Sequence, residues 1–328
     1  MPEITVFMAA YNTERYIGEA VESILNQSFE DFELLIVNDG STDRTREVVL
    51  QFTDSRIKLI DNPSNMGLTY TRNVALTEAR GNYIAVLDSD DIALPNRLKR
   101  QYDEMQSRPE LALLGSQSFI IDSQGKLEDE NLNIKVGAEL VKVTLLFNNT
   151  YVNSSVMFKT DVFRELKGYR EFAPVEDYEF FLRISDRYAV DNLDEHLVKY
   201  RRHDHNISKL KVEKALSLLK DIKEQQLEKL LVNPDKKMAA ILFWPDPEIH
   251  SLDEVLQMFI LLKEANEQKK VYDDEIFANI LFSKWFDFFY SRRRKRGTLP
   301  LLFNRKLFRI SCFNTDMIRK VLRTVIHN

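Results

Sequence analysis

Strand-length apolar runs alternate with helical patterns through the first 110 residues, and this limits the chain to few folds. The runs are "ITVFMA" (4–9), "FELLIVN" (32–38), "RIKLID" (56–61) and "YIAVLD" (83–88). Each has the length of a buried strand. Between them, residues 14–26 set Ile17, Val21, Ile24 and Leu25 on one helical face. A second helical pattern begins at "STDRT", where Ser41 or Thr42 is expected to cap, and a third covers residues 68–79. Such alternation predicts an α/β fold with a Rossmann-like, doubly wound, mostly parallel sheet.

Sheets of this kind bind ligands beyond the carboxyl ends of their strands. Polar clusters fall at those ends: Tyr11 and Asn12, "NDGSTD" (38–43), "NPSNMG" (62–67) and "DSDD" (88–91). Their recurrence after every strand points to one functional rim. Asp88, Asp90 and Asp91 crowd carboxylates that repel one another and resist desolvation. A hard divalent cation, Mg²⁺ or Mn²⁺, would neutralise them, with substrate phosphates and water completing its shell. The competing reading is a solvated turn, with an aspartate capping the helix near Pro95. Asp39, on a turn made by Gly40, can accept an N–H from a base edge. It can equally belong to a capping network with Ser41 and Asp43. Arg72 can pair with phosphate or brace a carboxylate.

The stretches "FMAAYNTERYIGEAVESILNQSFEDFELLIVNDGSTD", "NMGLTYTRNVAL", "GNYIAVLDSDD" and "EDYEFFLRI" resemble the successive motifs of family 2 glycosyltransferases. The resemblance covers about residues 3–208 and implies an inverting, metal-dependent enzyme with a GT-A fold. It implies that Ala10, Tyr11 and Asn12 line a nucleotide pocket. Asp39 would read the base, Arg72 would approach the nucleotide, and Asp88 would contact the ribose or the metal region. Asp90 would ligate the metal. The "ED" pair would supply the base at Asp177, with Glu176 as neighbour and substitute. The late stretch "YRRHDHNIS" makes His203 a further metal or diphosphate contact, with His205 close enough to compete. Asn38 stands where the family often has a second aspartate, while Asp39 keeps the residue that the role needs.

The expected reaction moves a sugar from a nucleotide-diphosphate donor, UDP-sugar favoured, to a hydroxyl of a glycan or lipid-linked acceptor in surface-polysaccharide synthesis. In such a displacement one carboxylate takes the acceptor proton, and no covalent enzyme intermediate is needed. The alternatives are a nucleotidyltransferase, against which stands the lack of a Gly-rich, Lys-containing triphosphate loop, and a non-catalytic nucleotide-sugar-binding assembly protein.

From about residue 209 to 328 the pattern is helical, so the chain is expected to divide into a catalytic domain (1–208) and a helical C-terminal region. Residues 291–328 hold eleven Lys and Arg against one acid, Asp316, in a chain whose net charge is −5. "WFDFFYSRRRKR" (285–296) joins aromatics to the basic run. At 315–326, Met317, Ile318, Val321, Leu322, Val325 and Ile326 share one face, with Arg319, Lys320 and Arg323 on another. This is the composition of an interfacial helix, and it predicts attachment of residues 285–328 to an anionic membrane. The competing reading packs the stripe on protein, either the catalytic domain or a second subunit in a homodimer. No base-reading or stacking motif accompanies the charge, so nucleic acid is not expected. The single cysteine, Cys312, excludes an internal disulfide. With no signal-peptide pattern and no apolar run of transmembrane length, a cytoplasmic protein at the inner face of the membrane is expected. The sequons at Asn148, Asn153 and Asn206 then carry no expected modification.

Overall fold

The computed structural model describes residues 1–132, 134–204, 212–243, 245–291, 298–313 and 315–326. The chain forms two compact units: Met1–Val141 with Asn149–Leu216, and Lys142–Asn148 with Ser217–Asn328.

The first unit is built on one sheet. Its strands are β1 (Ile4–Ala10), β2 (Phe32–Asn38), β3 (Ile57–Asp61), β4 (Tyr83–Val86), β5 (Ile92–Ala93), β6 (Leu111–Ile121), β7 (Leu127–Asn131), β8 (Met157–Lys159) and β9 (Ala189–Arg201). They run in the order β3-β2-β1-β4-β8-β6-β9-β5, with β7 paired to β6. The four strands read from the sequence form the parallel half, β3-β2-β1-β4. β8 enters antiparallel to both β4 and β6, and β9 runs parallel to β6. The sheet is therefore mixed. Helices α1 (Ile17–Leu25), α2 (Thr45–Val49), α3 (Leu68–Asn73), α4 (Ala75–Glu78), α5 (Arg97–Ser107), α6 (Ala138–Phe147), whose residues from Lys142 on belong to the second unit, α7 (Thr160–Glu165) and α8 (Glu176–Ser185) follow in chain order.

β1 and β2 are buried almost throughout, which explains their near-continuous apolar sequence. Ile4, Val6 and Met8 of β1 share a core with Ile17, Val21 and Ile24 of α1. Burying each such side chain contributes roughly 1.5–3 kcal/mol. Two local expectations are corrected. α2 starts at Thr45, and neither Ser41 nor Thr42 caps it. Thr45 N–H is met instead by Asp43 Oδ1 at 2.9 Å, while Ser41 Oγ receives the N–H of Asn12 at 3.1 Å. The third helical pattern divides at Val74, which ends α3 and begins α4.

The second unit is helical: α9 (Val212–Leu227) enters it, and α10 (Lys236–Phe243), α11 (Leu252–Lys269), α12 (Asp274–Ser291), α13 (Leu299–Leu302) and α14 (Thr315–Ile326) follow. Ser251 and Glu254 form a reciprocal capping box at the start of α11. Trp285, Phe286, Phe288 and Phe289 of α12 are core residues of this unit. Those aromatics are thus not the exposed interfacial cluster that the sequence predicts. The apolar stripe of α14 is split as well. Met317 and Val321 pack into the core, whereas Ile318 and Leu322 are 46% and 54% exposed. The basic run 292–296, and the side chains of Arg323, Val325 and Ile326, lie outside the described residues, as do His205 and Asn206. Among the described residues no helix is long and apolar enough to cross a membrane.

Candidate active site

The polar clusters after β1, β2 and β3 are tied into one rim. Asp39 N–H donates to Ala10 O at 2.8 Å, and Asn62 N–H donates to Asn38 O at 2.9 Å. The Asp39 carboxylate is buried, at 4% exposure. Its Oδ1 accepts from Asn62 Nδ2 and from Met66 N–H, both at 2.8 Å. Its Oδ2 accepts from Gly67 N–H at 3.0 Å. A carboxylate offers about four acceptor positions, so one remains, on Oδ2. Gly40 adopts φ 66°, and a Cβ there would lie 2.4 Å from the Ser64 carbonyl carbon. Only glycine lets the β2 and β3 loops approach this closely. Asn12 also adopts a left-handed φ, 53°. Its Oδ1 accepts Thr42 N–H at 2.9 Å. Tyr11 beside it is 45% exposed.

Arg72, on α3, is buried and lies between carboxylates. Nη1 pairs with Glu176 Oε1, and Nη2 stands 3.5 Å from Asp88 Oδ1. The guanidinium also lies over the Tyr169 ring, 5.6 Å from its centroid. Burial works against the charge of Arg72, but Glu176 and Asp88 outweigh it and raise its pKa. Asn73 clasps the Tyr169 backbone from both sides, Nδ2 to O at 2.9 Å and Oδ1 from N–H at 2.8 Å.

The three aspartates after β4 have different environments. Asp88 receives Asn153 Nδ2 on both oxygens, at 2.9 and 3.1 Å. Asp90 Oδ2 meets His203 Nε2 at 2.9 Å, and the His203 ring stacks on Tyr16 at 5.1 Å. Asp91 is buried, and its Oδ1 accepts Arg201 N–H at 2.7 Å. Burial, with the charges of Asp90 and Asp88, pushes its pKa well up. It is neither solvated nor a helix cap, because α5 begins at Arg97 with Asn96 before it. Beneath the loop Arg97 is fully buried, and burial brings its pKa down to about 9 against the pull of Asp91 and Asp88.

α8 brings the remaining carboxylates. Glu176, its first residue, is buried, and its Oε2 has no hydrogen-bond partner among the described residues. Asp177 is half-buried. Burial and the neighbouring Glu176 push its pKa up to about 6, against the opposing pull of Arg72. A carboxylate in that range can take up a proton close to neutral pH.

Residues 5–166 match the family described as Glycosyl transferase family 2. An uncharacterized glycosyltransferase of Methanocaldococcus jannaschii is 36% identical over 223 residues, which cover 66% of this chain and 77% of that protein. This chain belongs to glycosyl transferase family 2. The UDP-Glc:alpha-D-GlcNAc-diphosphoundecaprenol beta-1,3-glucosyltransferase WfgD of Escherichia coli is 35% identical over 183 residues, 56% of this chain and 68% of its own. The crystal structure of Staphylococcus aureus TarS 1-349 in complex with UDP-GlcNAc superposes with a TM-score of 0.59 at 18% identity, covering 89% of this chain and 87% of that one. The mixed α/β sheet of this family 2 glycosyltransferase is thus the GT-A fold.

Its predicted site residues fall into three groups. Ala10, Tyr11, Asn12 and Asp39 share the β1–β2 end of the rim. Arg72, Asp88 and Glu176 form one ion-pair cluster, beside which Asp177 sits. Asp90 and His203 form a separate pair. Among the described residues no group of three or more His, Cys, Asp or Glu is arranged to hold a metal. The Asp90–His203 pair nevertheless supplies one carboxylate oxygen, which suits Mn²⁺ or Mg²⁺ when phosphate and water complete the shell, and one imidazole nitrogen, which fits Mn²⁺ better than the oxygen-seeking Mg²⁺. Sequence reading passed over Asn153, Ser154, Tyr169, Tyr16 and Arg97. Asn153 was visible only as a sequon, and Tyr16 only as one more residue of a helical pattern.

Proposed function

We propose that this glycosyltransferase transfers a sugar, with inversion, from a nucleotide-diphosphate donor, a UDP-sugar foremost, to a hydroxyl of a lipid-linked glycan in surface-polysaccharide synthesis. The observation that carries the reading is the set of carboxylates Asp88, Glu176 and Asp177 around one buried guanidinium, Arg72, at the carboxyl rim of the sheet. WfgD, by its name, uses UDP-Glc and a diphosphoundecaprenol acceptor, which supports both the donor and the acceptor class.

In this reading Ala10, Tyr11 and Asn12 line the base pocket, and the remaining Oδ2 acceptor position of Asp39 takes a base N–H. Asp88 turns toward the ribose. Arg72, kept protonated by Glu176 and Asp88, faces the diphosphate and stabilises charge on the departing group. Asp90 and His203 would hold a divalent cation, which supplies further positive charge against the diphosphate. Asp88 is better placed on the nucleotide side, because its oxygens are engaged by Asn153 and Arg72. Asp177, ionised above about pH 6, accepts the proton of the attacking hydroxyl. The first turn of α8 favours that carboxylate through the helix dipole. Glu176 holds Arg72. The exposed Ile318 and Leu322, with the basic C-terminal segment, are proposed to rest on an anionic membrane beside the acceptor pool.

Incubation with a panel of UDP-, GDP- and dTDP-sugars and an undecaprenyl-diphosphate-linked acceptor, read by mass spectrometry and by NMR of the new anomeric centre, tests the reading. Transfer from a UDP-sugar with inverted configuration is expected. A retained configuration, or turnover of no nucleotide sugar, would sink it.

A further inference from the structure

The turn at 153–155, which precedes β8, packs on the carboxyl end of β4, and its contacts converge on Asp88. Ser154, fully buried, accepts Asp88 N–H on its Oγ at 3.0 Å. Asn153 Nδ2 lies 2.9 and 3.1 Å from the two carboxylate oxygens of Asp88. The turn is itself fastened from behind. Val86 N–H donates to Val156 O at 3.0 Å. The buried Arg97 donates from Nη2 to Val86 O at 2.7 Å and to Val156 O at 3.2 Å. Gln101 Nε2 donates to Ser155 O at 2.7 Å. The direction of the Asp88 carboxylate is thus set by a segment far away in the chain.

Chemistry decides which end of the Asn153 amide faces Asp88, since only the NH₂ group can meet a carboxylate. The other end, Oδ1, is buried without a hydrogen-bond partner among the described residues. An unmet buried acceptor is costly, because it gives up its hydrogen bonds to water and gains none in return. Leucine, of similar size, would leave no such acceptor unmet. Local penalties of this kind concentrate where function requires the group. We propose that Asn153 is a positioning residue for donor binding, which acts by orienting the Asp88 carboxylate between itself and Arg72. The inference rests on the donor-site reading above and adds a residue to it.

A double-mutant cycle on the full-length protein tests it, with Mn²⁺ in every sample. Binding of UDP, GDP and dTDP is measured by calorimetry for wild type, Asn153→Leu, Asp88→Asn and the double variant, beside the thermal midpoint of each. The nucleotide that binds wild type is the probe. Asn153→Leu is expected to weaken it about tenfold, the factor given by one charge-assisted hydrogen bond, with the thermal midpoint unchanged or raised. In the Asp88→Asn background the same substitution should cost almost nothing. An equal loss in both backgrounds, or unchanged binding in Asn153→Leu, overturns the inference and leaves the donor site standing. If wild type binds none of the three, the donor-site reading falls, and the inference with it. Should Asn153→Leu fail to fold, Asn153→Asp, which sets two carboxylates face to face, must weaken binding more than Asn153→Gln does; the reverse order overturns the inference.

Discussion

Adjacent carboxylates on α8 should respond in opposite ways to the same change. Glu176 and Arg72 form a buried pair, so Glu176→Gln leaves a buried cation short of its partner. Urea unfolding should show a loss of about 3 kcal/mol. Asp177 is the reverse case, because the folded state raises its pKa to about 6. The folded protein then binds a proton that the unfolded chain has released, so stability declines as pH rises from the ordinary aspartate range through 6. Asp177→Asn should therefore raise the thermal midpoint at pH 7, and that gain should vanish on acidification toward pH 4. The same substitution should lower turnover by roughly 10²–10⁴ with nucleotide binding near normal. Wild-type kcat should climb with pH through about 6. A flat profile there, with undiminished turnover in Asp177→Asn, would reduce Asp177 to a helix-terminal residue. Asp90→Ala should abolish most transfer, as should chelator on the wild type. Isothermal titration with Mn²⁺ and UDP separates lost metal binding from misfolding.

Elements decide which parts of a stripe remain available. In α14, Met317 and Val321 face the core of their unit, and Ile318 and Leu322 face outward. Trp285, Phe286, Phe288 and Phe289 belong to that core too, so deleting residues 285–328 would expose it. A point test is sounder. Full-length protein should float with anionic vesicles at low salt, less at high salt as charge is screened, and least when Ile318 and Leu322 are both replaced by Asp. The pair Met317→Asp and Val321→Asp should instead lower the thermal midpoint. Equal flotation of wild type and the Ile318, Leu322 variant would remove that face from the membrane reading. The loop 62–67 is another element-scale device. Asn62 Nδ2, Met66 N–H and Gly67 N–H all converge on Asp39, so the carboxylate organises the β3 loop as well as facing the rim.

At the scale of the molecule, sequence and structure divide the work by range. Periodicity is local, and it marked the parallel strands: β1, β2 and β4 are buried on both faces and read as apolar runs, and β3, the half-buried edge strand, keeps a strand-length apolar pattern. The order of polar clusters at strand ends followed, since successive parallel strands deliver their carboxyl ends to one side. The motif "EDYEFFLRI" falls wholly within α8. The motifs also sufficed for the family. β5 and β8, two and three residues long, carry too little pattern to be seen, yet β8 is the strand that leads the Asn153 turn onto Asp88. The fates of Asp88, Asp90 and Asp91 could not be separated in sequence either. Their partners, Asn153, His203 and the Arg201 backbone, come from 65, 113 and 110 residues away. By itself the sequence determined the sheet's parallel half, the rim and the residue types on it, because these depend on short-range periodicity and side-chain chemistry. Only the tertiary structure decided which carboxylate is buried, which is held by an amide and which meets an imidazole, because burial and pairing depend on distant segments brought into contact.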